Sequence, residues 1–247
     1  MRKLNVLVCC EESQRICIEF RKLGHNAYSC DLQECSGGHP EWHVKGDCLP
    51  LVSLKEKRAF FGEPIPVFYT QDGERHILPN HKWDLVIAHP PCTYLSRAGE
   101  RLLNVDRYGD YAKERLIERE KAVDFFMKFT KIDCNHWVIE NPIGCMTKRY
   151  RKPDMIIQPY FWYDNVKKST CLWTKGLPNL VPYTTEEPEL DLYEYEKDGH
   201  KIQVDRFFTR TRRLPKEERQ RLRSKTFPGF AKALAEQYSA YLQTVTP

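Results

Sequence analysis

The opening of the chain constrains its fold more than any other stretch. Leu4–Val8 is a short, continuous apolar run. "SQRICIEFRKLGH" (13–25) then spaces its apolar residues as a helix does, and "NAYSCDL" (26–32) is a second strand-like run ending at Asp31. Strand, helix and strand in so short a span make a βαβ unit, which requires parallel pairing and a right-handed crossover. Ser13 stands where a helix cap is expected, Ile16, Phe20 and Leu23 share one face, and Gly24 closes the helix.

The pattern continues downstream. "HVKGDCL" (43–49) reads as a short third strand, "WDLVIA" (83–88) as a buried strand, and "HWVIENP" (136–142) and "STCLW" (169–173) as two more. Residues 110–131 predict a helix with Leu116, Ile117, Ala122, Val123, Phe125, Phe126 and Phe129 as its apolar stripe. "FPGFAKALAEQYSAYL" (227–242) predicts a last helix that buries Ala231, Leu234, Ala235 and Tyr238. The fold class is therefore α/β, with a mostly parallel central sheet and helices on both faces. Residues 55–80 carry turns and aromatics without a clear period. From Pro178 to Leu222 the pattern breaks into charge blocks, prolines and a hairpin-like "KDGHK", as expected of a small inserted lobe. The organisation expected is 1–177 as the catalytic and cofactor-binding domain, 178–222 as the lobe, and 223–247 as a helix returning to the first domain.

Charge is informative in its distribution. The formal net charge of +5 is modest, but residues 201–225 hold ten Lys and Arg against Asp205, Glu217 and Glu218. Such a block suits a phosphate-bearing partner, although a solvated helix face is the common alternative. Mean hydropathy is −0.63, and no apolar run approaches the ~20 residues of a membrane span. The apolar part of "MRKLNVLVCC" is too short for a signal peptide, so no targeting segment is expected. Ten cysteines at irregular spacing, with no CxxC pair, point to reduced thiols and a cytoplasmic setting. Cys30, Cys35, His39 and His43 are zinc-type ligands, but "SGGHP" among them is loop chemistry and Cys30 fits a strand end; no metal is expected.

In an open parallel sheet, ligands bind beyond the carboxyl ends of the strands. Here those ends carry Cys10-Glu11-Glu12-Ser13, then Asp31, then Asp47, then His89-Pro90-Pro91-Cys92, then Glu140-Asn141-Pro142. Each has an ordinary explanation alone: a turn cap for Asp31 or Asp47, an inert thiol for Cys92, an ion pair for Glu140. Five at one edge suggest a site.

"PPC" after one buried strand, with "ENP" after the next and Glu140 48 residues after Cys92, resembles the DNA cytosine-C5 methyltransferases. The closing "TFPGFAKALAE" is similar to that family's last motif, and the order of motifs is the family's. The resemblance implies a Rossmann-like S-adenosylmethionine-dependent methyltransferase fold. It implies a reaction in which Cys92 attacks C6 of a flipped cytosine, Glu140 contacts N3, and C5 takes a methyl group. It puts the cofactor against Cys10, Glu11, Glu12, Ser13, Asp31-Leu32, Asp47-Cys48 and His89-Pro90. Pro91, Asn141 and Thr170 fall on the substrate side, Lys168 stands in for a missing Gln-x-Arg-x-Arg motif, and Arg206, Arg210, Arg212 and Arg213 would contact DNA phosphates. The compact lobe resembles those of phage-encoded members, acting in the cytoplasm of a bacterial host as monomers.

The sequence departs from the family at "CCEESQ", where glycines are usual, at His89 in place of glycine, and at Thr93 in place of glutamine. These changes leave the cysteine chemistry in place and open the possibility of a modified S-adenosylmethionine carrying another group. A pyrimidine-nucleotide enzyme using the same C6 addition is a further alternative, as is a non-catalytic DNA-binding relative. The basic block speaks against the first, and Cys92 with Glu140 against the second.

Overall fold

The computed structural model describes residues 2–52, 67–78, 82–189, 191–197 and 199–245. Most of the stretch 55–80 that resisted assignment lies outside these; what is described of it is a small antiparallel hairpin, β4 (Val67–Tyr69) with β5 (Arg75–Ile77).

The core is a seven-stranded sheet. Its members are β1 (Asn5–Cys9), β2 (Asn26–Asp31), β3 (His43–Lys45), β6 (Leu85–Ala88), β7 (Trp137–Pro142), β8 (Met155–Ile157) and β9 (Thr170–Lys175). They lie in the order β3-β2-β1-β6-β7-β9-β8. The first five run parallel, and β9 runs antiparallel to both β7 and β8. The chain moves outward from β1 to β3, then returns to place β6 on the other side of β1. That reversal is a topological switch point, and it opens a crevice at the carboxyl ends of β1 and β6. The expected Rossmann-like α/β architecture is the one observed.

Alternation along β1 sorts the helices onto two faces. Leu7 and Cys9 join Val86, Ala88 and Ile139 under α3 (Val105–Phe129), whose Val123, Phe126 and Phe129 are buried there. Leu4, Val6 and Val8 join Leu85, Ile87 and Val138 under α1 (Arg15–Lys22) and α7 (Pro228–Val245). With both faces covered, the central strands need apolar residues at every position, which is why they read as unbroken runs. Ala231, Leu234, Ala235 and Tyr238 of α7 are buried as expected.

Several expectations are corrected. Ser13 does not cap α1: Gln14 occupies the cap position in a left-handed conformation with no side-chain cap bond, and a carboxylate from the preceding turn does that work. Leu23, Leu116 and Ile117 are exposed, because the helical stripe extends past the sheet that would cover it. The helix over 110–131 is real, but the assigned element begins earlier and is interrupted at Gly109 (φ 52°, ψ −130°). His43 has both ring nitrogens engaged, by Ser29 Oγ at 2.8 Å and by the Gln33 carbonyl at 2.9 Å. Cys30 donates to the Gly46 carbonyl.

The remaining elements are α2 (Leu49–Val52), α4 (Met146–Arg149), and a group beyond the sheet. That group comprises the hairpin β10 (Leu192–Lys197) with β11 (His200–Asp205), then α5 (Arg206–Arg212) and α6 (Lys216–Ser224). Among the described residues, no helix is long and apolar enough to cross a membrane.

Candidate active site

The crevice at the switch point is a cleft of about 520 Å³. Its floor is the β1–α1 turn (Cys10, Glu11, Glu12, Ser13), Asp31 at the end of β2, and His89, Pro91 and Cys92 after β6. Its roof is α6 and the residues that follow it, including Arg219, Arg221, Arg223 and Lys225. A smaller recess beside it is lined by Glu140, Lys168 and Thr170, and by Ser224, Lys225 and Thr226, which it shares with the cleft.

The β1–α1 turn has no glycine, yet it takes glycine-like conformations. Cys10 (φ 59°) and Gln14 (φ 57°) are both left-handed, which costs a side-chain-bearing residue roughly 1 kcal/mol each. Glu11 is fully buried and folds back to cap α1, accepting from Ile16 N at 2.7 Å and Cys17 N at 3.3 Å. Burial pushes its carboxyl up to about 7, against the lowering effects of His89 and of those two amides. Glu12 accepts from Ser36 Oγ through one oxygen, while its Oε1 is buried without a partner. Asp31 lines the cleft and accepts from Gln33 N at 2.9 Å; burial raises its carboxyl.

The loops at the carboxyl ends of β6 and β7 are locked to one another. Asn141 Nδ2 donates to the Pro90 carbonyl at 2.7 Å, Cys145 N to the Leu95 carbonyl at 2.9 Å, and Arg97 N to the Ile143 carbonyl at 2.9 Å. Ser96 and Gly144 form a β-bridge, and a Cβ at Gly144 would run into the Leu95 carbonyl. The turn after Cys92 and the turn after Glu140 are thus packed backbone to backbone, and the two prolines stiffen the approach to the thiol.

His89 Nδ1 lies 2.9 Å from Glu140 Oε2. Burial disfavours the charged imidazole, but the hydrogen bond and charge of Glu140, with the charge of Glu11, outweigh it and raise His89 above the ordinary histidine value. Burial likewise pushes Glu140 up, and His89 and Lys168 more than offset that, leaving it low. Both shifts favour the imidazolium–carboxylate form of the pair. Cys92 is raised by burial and by Glu140, with Lys168 acting the other way, so it rests as a thiol. Lys168 Nζ also donates to the Arg223 carbonyl at 2.9 Å, which ties the floor to α6.

Of the residues singled out from the sequence, Cys10, Glu11, Glu12, Ser13, Asp31, His89, Pro91 and Cys92 meet in the cleft, with Glu140, Lys168 and Thr170 in the adjoining recess. Pro90 and Asn141 are buried behind them, joined by their hydrogen bond. Leu32, 75% exposed between the cleft residues Asp31 and Gln33, and Asp47, which accepts from Leu49 N at the start of α2, do not themselves line the cleft. Cys48 is buried, its thiol engaged with Cys9 and Cys10. Arg206 and Arg210 pair with Asp191 at 2.7 and 2.9 Å, and Arg212 and Arg213 are exposed outside the cleft. Sequence reasoning did not assign Glu217, Gln220 and Lys225 to the site, and it did not foresee the His89–Glu140 contact. The basic block did contain the signal for the roof: Arg219 and Arg223 are four residues apart, on one face of a helix.

No family model matches the chain, and no curated protein matches it. Among solved structures it is similar to a protein described as a DNA modification methyltransferase encoded within a prophage, from E. coli. The identity is 12% and the TM-score 0.41, with 79% of this chain and 59% of that one covered. It is also similar to the Entamoeba histolytica methyltransferase EhMeth, at 14% identity and a TM-score of 0.44, with 78% and 59% covered. The chain thus spans 59% of the length of each of these neighbours.

Proposed function

We propose that the chain transfers a methyl group from S-adenosylmethionine to C5 of cytosine in DNA. The observation that carries this reading is the convergence of Cys92, His89 and Glu140 at the carboxyl ends of two adjacent parallel strands beside the switch point, with Lys168 brought in from the segment entering β9. Cytosine C5 is a poor nucleophile until a thiolate has added to C6. Cys92 supplies the sulfur: its thiol proton passes to water in the open cleft, and the S–C6 bond forms as the C5–C6 electron pair moves to C5. Glu140, next to it, meets N3 and draws off the charge that develops on the ring. After C5 gains its substituent its proton passes to water in the cleft, the C5–H pair re-forms the C5–C6 double bond, and the sulfur departs as thiolate and is reprotonated from water.

The residues present fit the donor. Glu12 Oε1 is a buried acceptor in want of a donor, and an α-ammonium or a ribose hydroxyl would satisfy it. Asp31 suits the same ribose diol, and the acidic turn as a whole suits a cationic ligand. When bound, the donor supplies an electrophilic methyl. On the acceptor side, Arg219, Arg221 and Lys225 offer phosphate contacts, which position DNA without reading its sequence. The base must leave the helix to reach Cys92.

The division into a catalytic domain (1–177), a basic lobe (178–222) and a returning helix (223–247) belongs to this proposal, as does a phage-type monomer working in a bacterial cytoplasm. A second reading keeps Cys92 and changes the donor. It is favoured by the glycine-free turn, in which Glu11 is already committed to capping α1 and two acids face the place where a methionine carboxylate would lie. Mass spectrometry of nucleosides from DNA incubated with enzyme and S-adenosylmethionine tests both. A gain of one methylene unit on deoxycytidine is expected. A gain only with a derivatised donor selects the second reading, and no gain with either removes both.

A further inference from the structure

His89 stands where an imidazole has no obvious reason to be. It follows β6, its backbone N–H is fixed to the Cys9 carbonyl at 3.0 Å, and its side chain is 11% exposed. One ring nitrogen is 2.9 Å from Glu140 Oε2; the other, Nε2, is buried with no partner. The charged groups facing the pair are Glu11 from the β1–α1 turn and Lys168 from the segment entering β9, with the Cys92 thiol nearby. His89 and Lys168 thus both bear on the Glu140 carboxyl, and Glu11, pushed up to about 7 by burial, adds a negative charge only above that pH.

This arrangement creates a difficulty for Glu140 acting alone. A carboxyl flanked by an imidazolium and an ammonium is ionised at rest, and a bare carboxylate facing the N3 lone pair of neutral cytosine repels it. The group must gain a proton before it can serve. Among the described residues, the proton within hydrogen-bond reach of Glu140 is the one on His89 Nδ1.

We propose that His89 is a positioning residue that stores the proton Glu140 delivers to the ring, acting through the Nδ1–Oε2 contact and without touching the substrate. The inference rests on the cytosine reading above. As Cys92 adds to C6, the Nδ1 proton passes to Glu140 Oε2 and a carboxyl proton passes from Glu140 to N3. His89 is left neutral with its proton on Nε2. When the sulfur departs, N3 returns its proton to Glu140, and His89 Nδ1 is reprotonated. No proton is gained or lost by the pair over the cycle. An imidazole suits this task because its proton affinity lies near neutral pH, where a lone carboxyl has already ionised.

The test uses a DNA duplex with 5-fluorocytosine, in which fluorine blocks loss from C5 and the Cys92 adduct accumulates. The rate of trapping in the presence of S-adenosylmethionine is measured from about pH 6 to about pH 8. Absence of both trapping and transfer in the wild-type protein refutes the cytosine reading itself. Given wild-type trapping, His89→Asn and His89→Gln are expected to trap about 100-fold more slowly at about pH 8 and to recover to within roughly tenfold at about pH 6, where Glu140 protonates directly. Glu140→Gln stays slow at both. Profiles parallel to wild type, at any height, overturn the inference, since a purely structural role lowers activity without bending its pH dependence. Nitrogen NMR of the wild-type protein gives a readout independent of the variants' folding. The His89 ring is expected to be doubly protonated at neutral pH and neutral in the trapped adduct; a resting neutral ring overturns the inference.

Discussion

In the floor of the cleft, Cys92 follows β6 and Glu140 lies near the carboxyl end of β7, two parallel strands that are buried on both faces between helices. In the roof, α6 follows a hairpin with exposed tyrosines and is joined to its surroundings by side chains. Arg223 Nε donates to Thr211 Oγ1 at 2.8 Å, Lys168 Nζ to the Arg223 carbonyl, and Lys225 Nζ to Ser36 Oγ at 3.2 Å. Floor geometry is enforced by close-packed burial, which tolerates little displacement. Roof geometry depends on polar contacts and on exposed ion pairs such as Asp191 with Arg206 and Arg210, each worth about 1 kcal/mol or less. On the function proposed above, chemistry that needs reacting atoms placed to within a fraction of an ångström would sit on the first, and binding that must follow an irregular polyanion on the second.

The comparison breaks most visibly at the floor. Cys92→Ala is expected to abolish transfer while DNA binding, measured by fluorescence anisotropy, changes little; full turnover would remove the covalent step. Glu140→Gln comes next, with turnover lower by about 10²–10⁴-fold and donor affinity nearly unchanged by calorimetry. A smaller effect concerns stability. Glu11 holds its proton in the fold up to about 7, whereas it ionises near 4.5 when unfolded. The folded state therefore binds the extra proton between those values, and stability falls as pH rises through that window, by up to about 3 kcal/mol. Urea unfolding of Glu11→Gln at about pH 5 and about pH 8 should show that difference reduced. The smallest effect contrasts two helices. Arg221→Ala should lower the salt slope of DNA binding by roughly one, and Arg210→Ala by less, since Asp191 already faces its guanidinium.

The sheet was legible because its central strands are covered on both faces, so burial writes itself into the sequence as continuous apolar runs. β8 escaped notice because it has three residues at the sheet's edge and exposes Ile156, and the reversed direction of β9 leaves no mark in composition. Leu116 and Ile117 misled because periodicity identifies a helix face without saying how far the sheet beneath it extends. Cys92 and Glu140 were found through their short motifs. His89 was placed on the cofactor side because nothing local couples residues 51 positions apart, and only the alignment of β6 beside β7 makes them neighbours. Ser13 was taken for a cap by its type, when the group that reaches the free amides of α1 is the Glu11 carboxylate, five residues before Ile16.

The seam at Ser96 and Gly144 has a consequence for how a base could arrive. With the turn after Cys92 and the turn after Glu140 fused into a single piece, neither swings aside on its own. The side of the recess under α6 is held by side-chain contacts instead, such as Lys168 with Arg223, so it is the door of this cleft, while the frame around the thiol is tied backbone to backbone.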